Sequence, residues 1–123
     1  MEDNWINSFA KQDIQIWDDQ DWAGKLNLNI NMDEPRSGWG WTIDQVNSMP
    51  KFEFKNLTDY LDTVRYCTDS YIENIDENDM KLCPDKNRPN YSISKMLAHI
   101  VVEQSQHIGQ ISYIRGMFRG LDG

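Results

Sequence analysis

The sequence predicts an all-α protein, on three observations. Apolar residues recur at intervals of three and four along nearly the whole chain, which is the period of a helix. Strand-like alternation is confined to one run, residues 26 to 32, and no second alternating run is present to pair with it. The 123 residues suit one compact core. We therefore expect a single helical domain over residues 1–123.

The first predicted helix covers about residues 3 to 22 and is rich in aromatic side chains. Its apolar stripe includes Trp5, Phe9 and Trp17 and is interrupted by Asp13. Residues 23–41 contain Gly, Pro and Asn, which favour a long connection. We expect the alternating run within that connection to lie as an extended loop on the helices.

A capping-box pair, Thr42 and Gln45, predicts a short helix that ends at Met49 and Pro50. In a capping box each side chain accepts from the backbone amide of the other residue, so the first turn of the helix is stabilised locally.

A longer helix is predicted to begin at Asn56 or Thr58 and to end near Ile75. Its apolar residues are spaced for one face, which we expect to pack against the last helix. The residues of this stripe are Leu57, Leu61, Val64, Tyr71 and Ile75, widened by Tyr60 and Ile72.

The final helix is predicted to begin at Ser92, a residue type that caps helix N-termini. The link before it contains two prolines and several turn formers. Positions alternately four and three apart define the stripe that we expect to face inward, namely Ile93, Leu97, Ile100, Gln104, His107, Ile111, Ile114 and Phe118.

Three metal-ligand types follow one another on this helix. His99, Glu103 and His107 are spaced by four residues, so they form a slanted row along its surface. Such a row can offer a carboxylate and imidazoles to one divalent cation. The alternative is that His107 is a hydrogen-bonded core histidine, Glu103 a solvated flank residue and His99 an exposed side chain.

Composition excludes some classes of partner. The formal charge of −8, without a cluster of Lys and Arg, argues against nucleic acid and against an anionic membrane surface. No stretch approaches the ~20 apolar residues of a membrane span. We expect a cytoplasmic protein in which Cys67 and Cys83 are free thiols.

The closing segment E-Q-S-Q-H-I-G-Q-I-S-Y-I-R-G-M-F-R-G-L-D-G resembles the last helix of the DinB and YfiT-like superfamily of metalloenzymes. That helix carries His or Glu, three residues, then His-x-Gly, followed by Arg and a terminal Asp-Gly. Near the start of the chain, M-E-D-N-W resembles the end of the second helix of the family. The matching residues are His107, Gly109, Arg115, Asp122 and Gly123, with Glu2, Asn4 and Trp5.

The resemblance implies a four-helix bundle of up-down-down-up arrangement that binds a divalent metal such as nickel, zinc or iron. In the family one ligand is a histidine of the second helix and two ligands come from the fourth, here Glu103 and His107. The second-helix histidine would lie upstream of Met1. The resemblance therefore implies either that the natural chain extends before Met1 or that this is an N-terminally shortened bundle with an incomplete metal site. In the second case His99, or Glu2 or Asp3, is a candidate substitute ligand.

Three functions follow from these observations. The first is a metal-dependent enzyme of the thiol-dependent transferase or hydrolase type with an unknown small-molecule substrate, as the resemblance implies. The second is a non-catalytic helical bundle whose missing packing is supplied by a second copy, which makes a homodimer the expected partner state. The third is a small-ligand binding module in which Trp39 and Trp41 form an aromatic wall, although such residues also anchor loops.

Overall fold

The computed structural model describes residues 1–28 and 40–120. Those residues are mostly helical and contain no β-strand, which confirms the all-α prediction. The chain divides into two compact units, residues 1–75 and 76–123, which we describe one at a time. The expectation of one domain over residues 1–123 stays a prediction.

The first unit begins with a π-helix, Asn4–Ala10, where the amide of Lys11 donates to the carbonyl of Ile6 at 3.0 Å. Two short helices follow, α1 (Ile16–Asp19) and α2 (Trp22–Lys25). The expected single helix over residues 3–22 was therefore wrong. The chain breaks where Gln12 takes a φ of +57° and the Asp13 carboxylate accepts from the following amide at 2.8 Å.

Two of the predicted helices are present, one with the predicted start and one with an earlier start. Helix α3 covers Ile43–Asn47, and Thr42 and Gln45 form the predicted capping box. Helix α4 covers Phe54–Asn74 and so begins a little earlier than predicted.

The core of the first unit lies where α1, α2 and α4 meet. Ile16, Trp22 and Val64 are buried there, and Tyr60 packs against them. The Tyr60 ring lies 5.2 Å from Trp22 and 5.4 Å from Trp17 between ring centroids, distances typical of aromatic pairs. Of the predicted aromatic stripe, Trp17 packs against this core, whereas Trp5 and Phe9 are half-buried on the π-helix.

The second unit contains a short 3-10 turn, Asp79–Lys81, and the long helix α5 (Ile93–Arg119). The Ser92 hydroxyl accepts from the amide of Lys95 at 3.4 Å, which confirms the predicted N-cap. The amide of Ile93 donates to the carbonyl of Leu82 at 2.9 Å and fixes the start of the helix. Ile93 and Met96 are fully buried.

The second half of α5 departs from the expected inward stripe. Ile93 and Ile100 are buried as predicted, whereas His107, Ile111 and Phe118 are exposed. Every residue from 105 to 119 is exposed, so the heptad pattern does not correspond to burial there. Helical spacing identifies an apolar stripe but does not show which surface covers it.

Several predictions fall on residues outside the described ranges. They concern most of the alternating run, Trp39, and the terminal Asp122 and Gly123. Cys67 and Cys83 are both free thiols, as expected. Within the described residues, α4 and α5 are the long helices, and neither they nor the shorter ones are apolar enough to cross a bilayer.

Candidate functional site

His99 is held at the start of α5 by a tyrosine that precedes the helix. The hydroxyl oxygen of Tyr91 lies 2.9 Å from Nδ1 of His99, and the two rings pack edge to face with centroids 6.3 Å apart. Because a tyrosine hydroxyl can donate or accept, this contact is compatible with either tautomer of the imidazole. It fixes the ring so that Nε2 points along the helix.

Nε2 of His99 faces the next residue of the predicted row. It lies 3.2 Å from Oε1 of Glu103, whose side chain is 31% exposed. Two ligands each ~2.1 Å from a tetrahedral zinc ion lie about 3.4 Å apart. The separation of this pair therefore suits either a direct hydrogen bond or two donors on one cation.

His107 lies one turn further along and has a different neighbour. Its Nδ1 is 3.1 Å from Oε1 of Gln110, which occupies the next turn of α5. Within residues 1–28 and 40–120 no hydrogen bond or ion pair engages its Nε2. The structure thus brings His99 and Glu103 together and leaves His107 beside Gln110.

A complete ligand set is not gathered by the described residues. Among them, no group of three or more His, Cys, Asp and Glu side chains is arranged to hold a metal ion. The assignment of His99, Glu103 and His107 as metal ligands stays a prediction, with the first two in ligand geometry and the third apart.

Both histidines nevertheless share one feature with metal-binding imidazoles. In each ring Nδ1 faces an oxygen, from Tyr91 or from Gln110, so Nε2 is the nitrogen on the far side of the ring, which in His99 faces Glu103. Metal-ligating histidines usually donate their other ring N–H to such an oxygen, which fixes tautomer and orientation. Neither Tyr91 nor Gln110 was predicted from the sequence as a partner of these rings. Gln110 could have been found from its spacing of three, whereas Tyr91 lies outside the helix and carries no periodic signal.

The electrostatics at Tyr91 follow from its surroundings. Burial raises the pKa of Tyr91, Arg88 acts to lower it, and the negative charge of Glu103 raises it. The hydroxyl therefore stays protonated at neutral pH, and its oxygen can accept from Nδ1–H of His99, the arrangement that leaves Nε2 with a lone pair.

A second polar cluster lies in the first unit and centres on the buried Asp3 carboxylate. Oδ1 accepts from the Asn7 side chain at 2.8 Å and from the amide of Ile16 at 3.0 Å. Oδ2 accepts from the amide of Trp17 at 2.9 Å and from the Tyr60 hydroxyl at 2.8 Å. Four donors fill the ordinary acceptor positions of a carboxylate, so Asp3 has a structural role. It ties the π-helix, α1 and α4 together.

Glu2 extends this polar cluster to two further residues of α4. Its Oε1 accepts from the buried Thr68 hydroxyl at 2.6 Å, and its Oε2 lies 3.0 Å from a terminal nitrogen of Arg65. Burial of a carboxylate is tolerable only with such donors. The two acidic residues at the start of the chain are thus anchors for the first helix.

The Tyr60 phenol is the titratable group most affected by this cluster. Burial, its hydrogen bond to Asp3 and the negative charge of that carboxylate together raise the pKa of Tyr60 well above its usual range. The phenol therefore remains a neutral donor to Asp3 over the physiological pH range.

The proposed aromatic wall is only partly described. Trp41 is half-buried next to the capping box of α3, and Trp39 lies outside the described residues. A ligand site at these tryptophans stays a prediction.

The comparisons with known proteins identify no relative from which a function could be inferred. No protein-family model matches the chain, and no curated protein matches it.

Proposed function

We propose that this chain is a DinB-like helical protein that binds a divalent metal ion such as nickel, zinc or iron. His99 and Glu103 would be its first two ligands and His107 a third. The proposal rests on the resemblance of the closing helix and on one observation, the oxygen that faces Nδ1 of each histidine.

The donor set suits borderline metals of this kind. Imidazole nitrogens and a carboxylate oxygen are common ligands of zinc, nickel and iron. His99 and Glu103 need little rearrangement, because their donor atoms already lie 3.2 Å apart. His107 needs a movement of its ring or of the helix to join them.

Each residue has a distinct part in this proposal. Tyr91 and Gln110 orient the imidazoles, and Glu103 supplies negative charge that favours cation binding. A divalent cation held there would supply Lewis acidity for transferase or hydrolase chemistry. The exposure of α5 around His107 leaves room for a substrate to approach.

The proposal is tested by calorimetric titration of the full chain with Zn²⁺ and Ni²⁺. We expect His99→Ala to abolish binding and Tyr91→Phe to weaken it about 10-fold or more, since outer-shell partners have effects of that size. Gln106→Ala, an exposed change on the same helix, is the matched control and should bind as wild type. Equal binding by wild type and His99→Ala would contradict the proposal.

A second candidate function is a non-catalytic, dimeric helical-bundle protein. The observation in its favour is the apolar second half of α5, where Phe118 is 88% exposed. Its test is sedimentation velocity over a concentration series of the full chain. A dimer without metal binding would favour this candidate over the first.

A further inference from the structure

The second half of helix α5 carries an exposed stripe on one side. His107, Ile111, Ile114 and Phe118 are spaced by four, three and four residues. At about 100° per residue they fall within a sector about 60° wide, so they share one side of the helix. All four are exposed, Ile111 to 65%, Ile114 to 51% and Phe118 to 88%. These four residues are called the α5 stripe below.

The same side of α5 is buried in the first half of the helix. Ile93 and Ile100 precede His107 by two heptads and one heptad, and they are 1% and 6% exposed. The side that is buried at these positions therefore continues as an exposed side from residue 105 onward. A large exposed apolar patch of this kind marks an interaction surface. The surface that covers it has to present an apolar stripe of its own.

A second copy of α5 meets this requirement when the two helices run antiparallel. A two-fold axis between residues 112 and 113 places Ile111 opposite the partner's Ile114, and His107 opposite the partner's Phe118. The axis repeats each pair, so all four residues of the α5 stripe enter the contact. A two-fold contact uses the same patch on both copies, and the α5 stripe is complementary to itself in this register.

The flanks and the charges agree with this orientation. Beside the stripe, the methylene stem of Arg115 can cover the partner's Ile108, and Met117 lies beside the partner's Gln110. Residues 104–120 contain Arg115 and Arg119 and no acidic residue, so a parallel pair would gather the arginines of both copies at one end. In the antiparallel pair the two Arg119 residues are about 20 Å apart along the axis, which exceeds the screening length of about 8 Å at physiological ionic strength.

We propose that the second half of α5 pairs antiparallel with the second half of α5 in a second copy of this chain. The inference rests on the dimer of the second candidate function and names its surface and its orientation. The contact uses residues of the second unit only. Because it covers His107, it is an alternative to the metal-binding role of that residue.

The exposed area supports a weak dimer. The stripe and its flanks contain five apolar side chains that are 51–88% exposed, and such side chains bury on the order of 100 Å² apiece. Two copies would thus bury about 1,000 Å² in total, which is the lower limit for a specific interface. We therefore expect a dissociation constant of about 1–100 µM.

A pair of charge insertions on opposite sides of α5 tests the surface. Sedimentation velocity of the full chain, at about 1 to 500 µM, compares wild type with Ile111→Asp and Val102→Asp. Val102 is 50% exposed and lies about 180° around the helix from Ile111, so its variant is the matched control. We expect Ile111→Asp to raise the dissociation constant at least 10-fold and Val102→Asp to dimerise as wild type. Circular dichroism verifies that each variant is folded.

Disulfide trapping tests the orientation. Ile111→Cys and Ile114→Cys are made separately in chains that carry Cys67→Ala and Cys83→Ala, one of them is isotope-labelled, and the two are mixed and oxidised. We expect the mixed disulfide to exceed random pairing, because the antiparallel register places these two positions opposite each other. A parallel pair would instead join each position to its own copy.

The outcomes separate the pairing from the dimer. A wild-type dimer that Ile111→Asp leaves intact would place the interface elsewhere, which overturns the pairing and keeps the dimer. A predominance of disulfides between like positions would likewise overturn the antiparallel orientation. A wild-type chain that stays monomeric up to about 500 µM would overturn both the pairing and the dimer.

Discussion

Replacing Asp3 with alanine should be among the most destabilising single changes in the first unit. The carboxylate is 2% exposed and accepts from two side chains and two backbone amides. Asp3→Ala leaves all four donors without that acceptor. The amides of Ile16 and Trp17 are the first two of α1, so the change also removes the cap of this short helix.

The expected loss can be bounded from these contacts. A helix cap contributes about 1 kcal/mol, and removing one member of a buried charged network costs about 3–5 kcal/mol. The donors share one acceptor, so their losses do not simply add. We expect the free energy of unfolding to fall by about 3–5 kcal/mol, a large part of the 5–15 kcal/mol of an ordinary domain.

The assay is urea unfolding followed by circular dichroism and by tryptophan fluorescence. Asp3→Asn tests the contribution of the charge. The asparagine amide keeps one acceptor oxygen, but its NH2 group faces the N–H or O–H donors that the other carboxylate oxygen accepted from. Asp13→Ala is the matched control, since among the described residues that exposed carboxylate accepts only from the next amide. A loss below about 1 kcal/mol for Asp3→Ala, equal to that of a surface change, would refute the account of this cluster.

Three further changes test other parts of the first unit. The raised pKa of Tyr60 gives stability that is complete below pH ~10, where a free tyrosine titrates, and that is lost as pH rises beyond it. Tyr60→Phe should therefore reduce the loss of stability at alkaline pH. Because Tyr60 of the folded protein does not ionise near pH 10, wild type and Tyr60→Phe should show the same rise in phenolate absorbance near that pH. Within the described residues the buried Nε1 of Trp22 has no hydrogen-bond partner, so Trp22→Phe should change the unfolding free energy by less than about 1.5 kcal/mol, against about 3–5 kcal/mol for Trp22→Ala. A Cβ at Gly24 would meet the Asp21 carboxylate that caps α2, and Gly24→Ala should cost about 1 kcal/mol by urea unfolding rather than stabilise the helix.

Local signals in the sequence predicted the helix starts well. Thr42 with Gln45 and Ser92 cap the helices that they were expected to cap, because a cap depends on residues within three positions. The breaks in the first predicted helix could not be read in the same way. They depend partly on Asp3, which caps α1 from thirteen residues away, and no local pattern encodes such a contact.

The candidate site, too, was predicted only in part. The spacing of four placed Glu103 beside His99, and the structure has their donor atoms 3.2 Å apart. The same spacing was expected to bring His107 alongside, but its imidazole is held by Gln110. Whether the His107 ring turns toward Glu103 or toward Gln110 depends on its side-chain rotamer, which residue spacing alone does not determine.

The metal content of the untagged, purified chain tests the central proposal most directly. Elemental mass spectrometry should find about one nickel, zinc or iron per chain in wild type, as expected for one site built from imidazole and carboxylate ligands. The content should fall several-fold in His107→Ala and stay at the wild-type level in Gln106→Ala. Metal-free wild type that also takes up none of the three ions on dialysis would contradict the metal-binding proposal and leave the dimeric bundle as the better account.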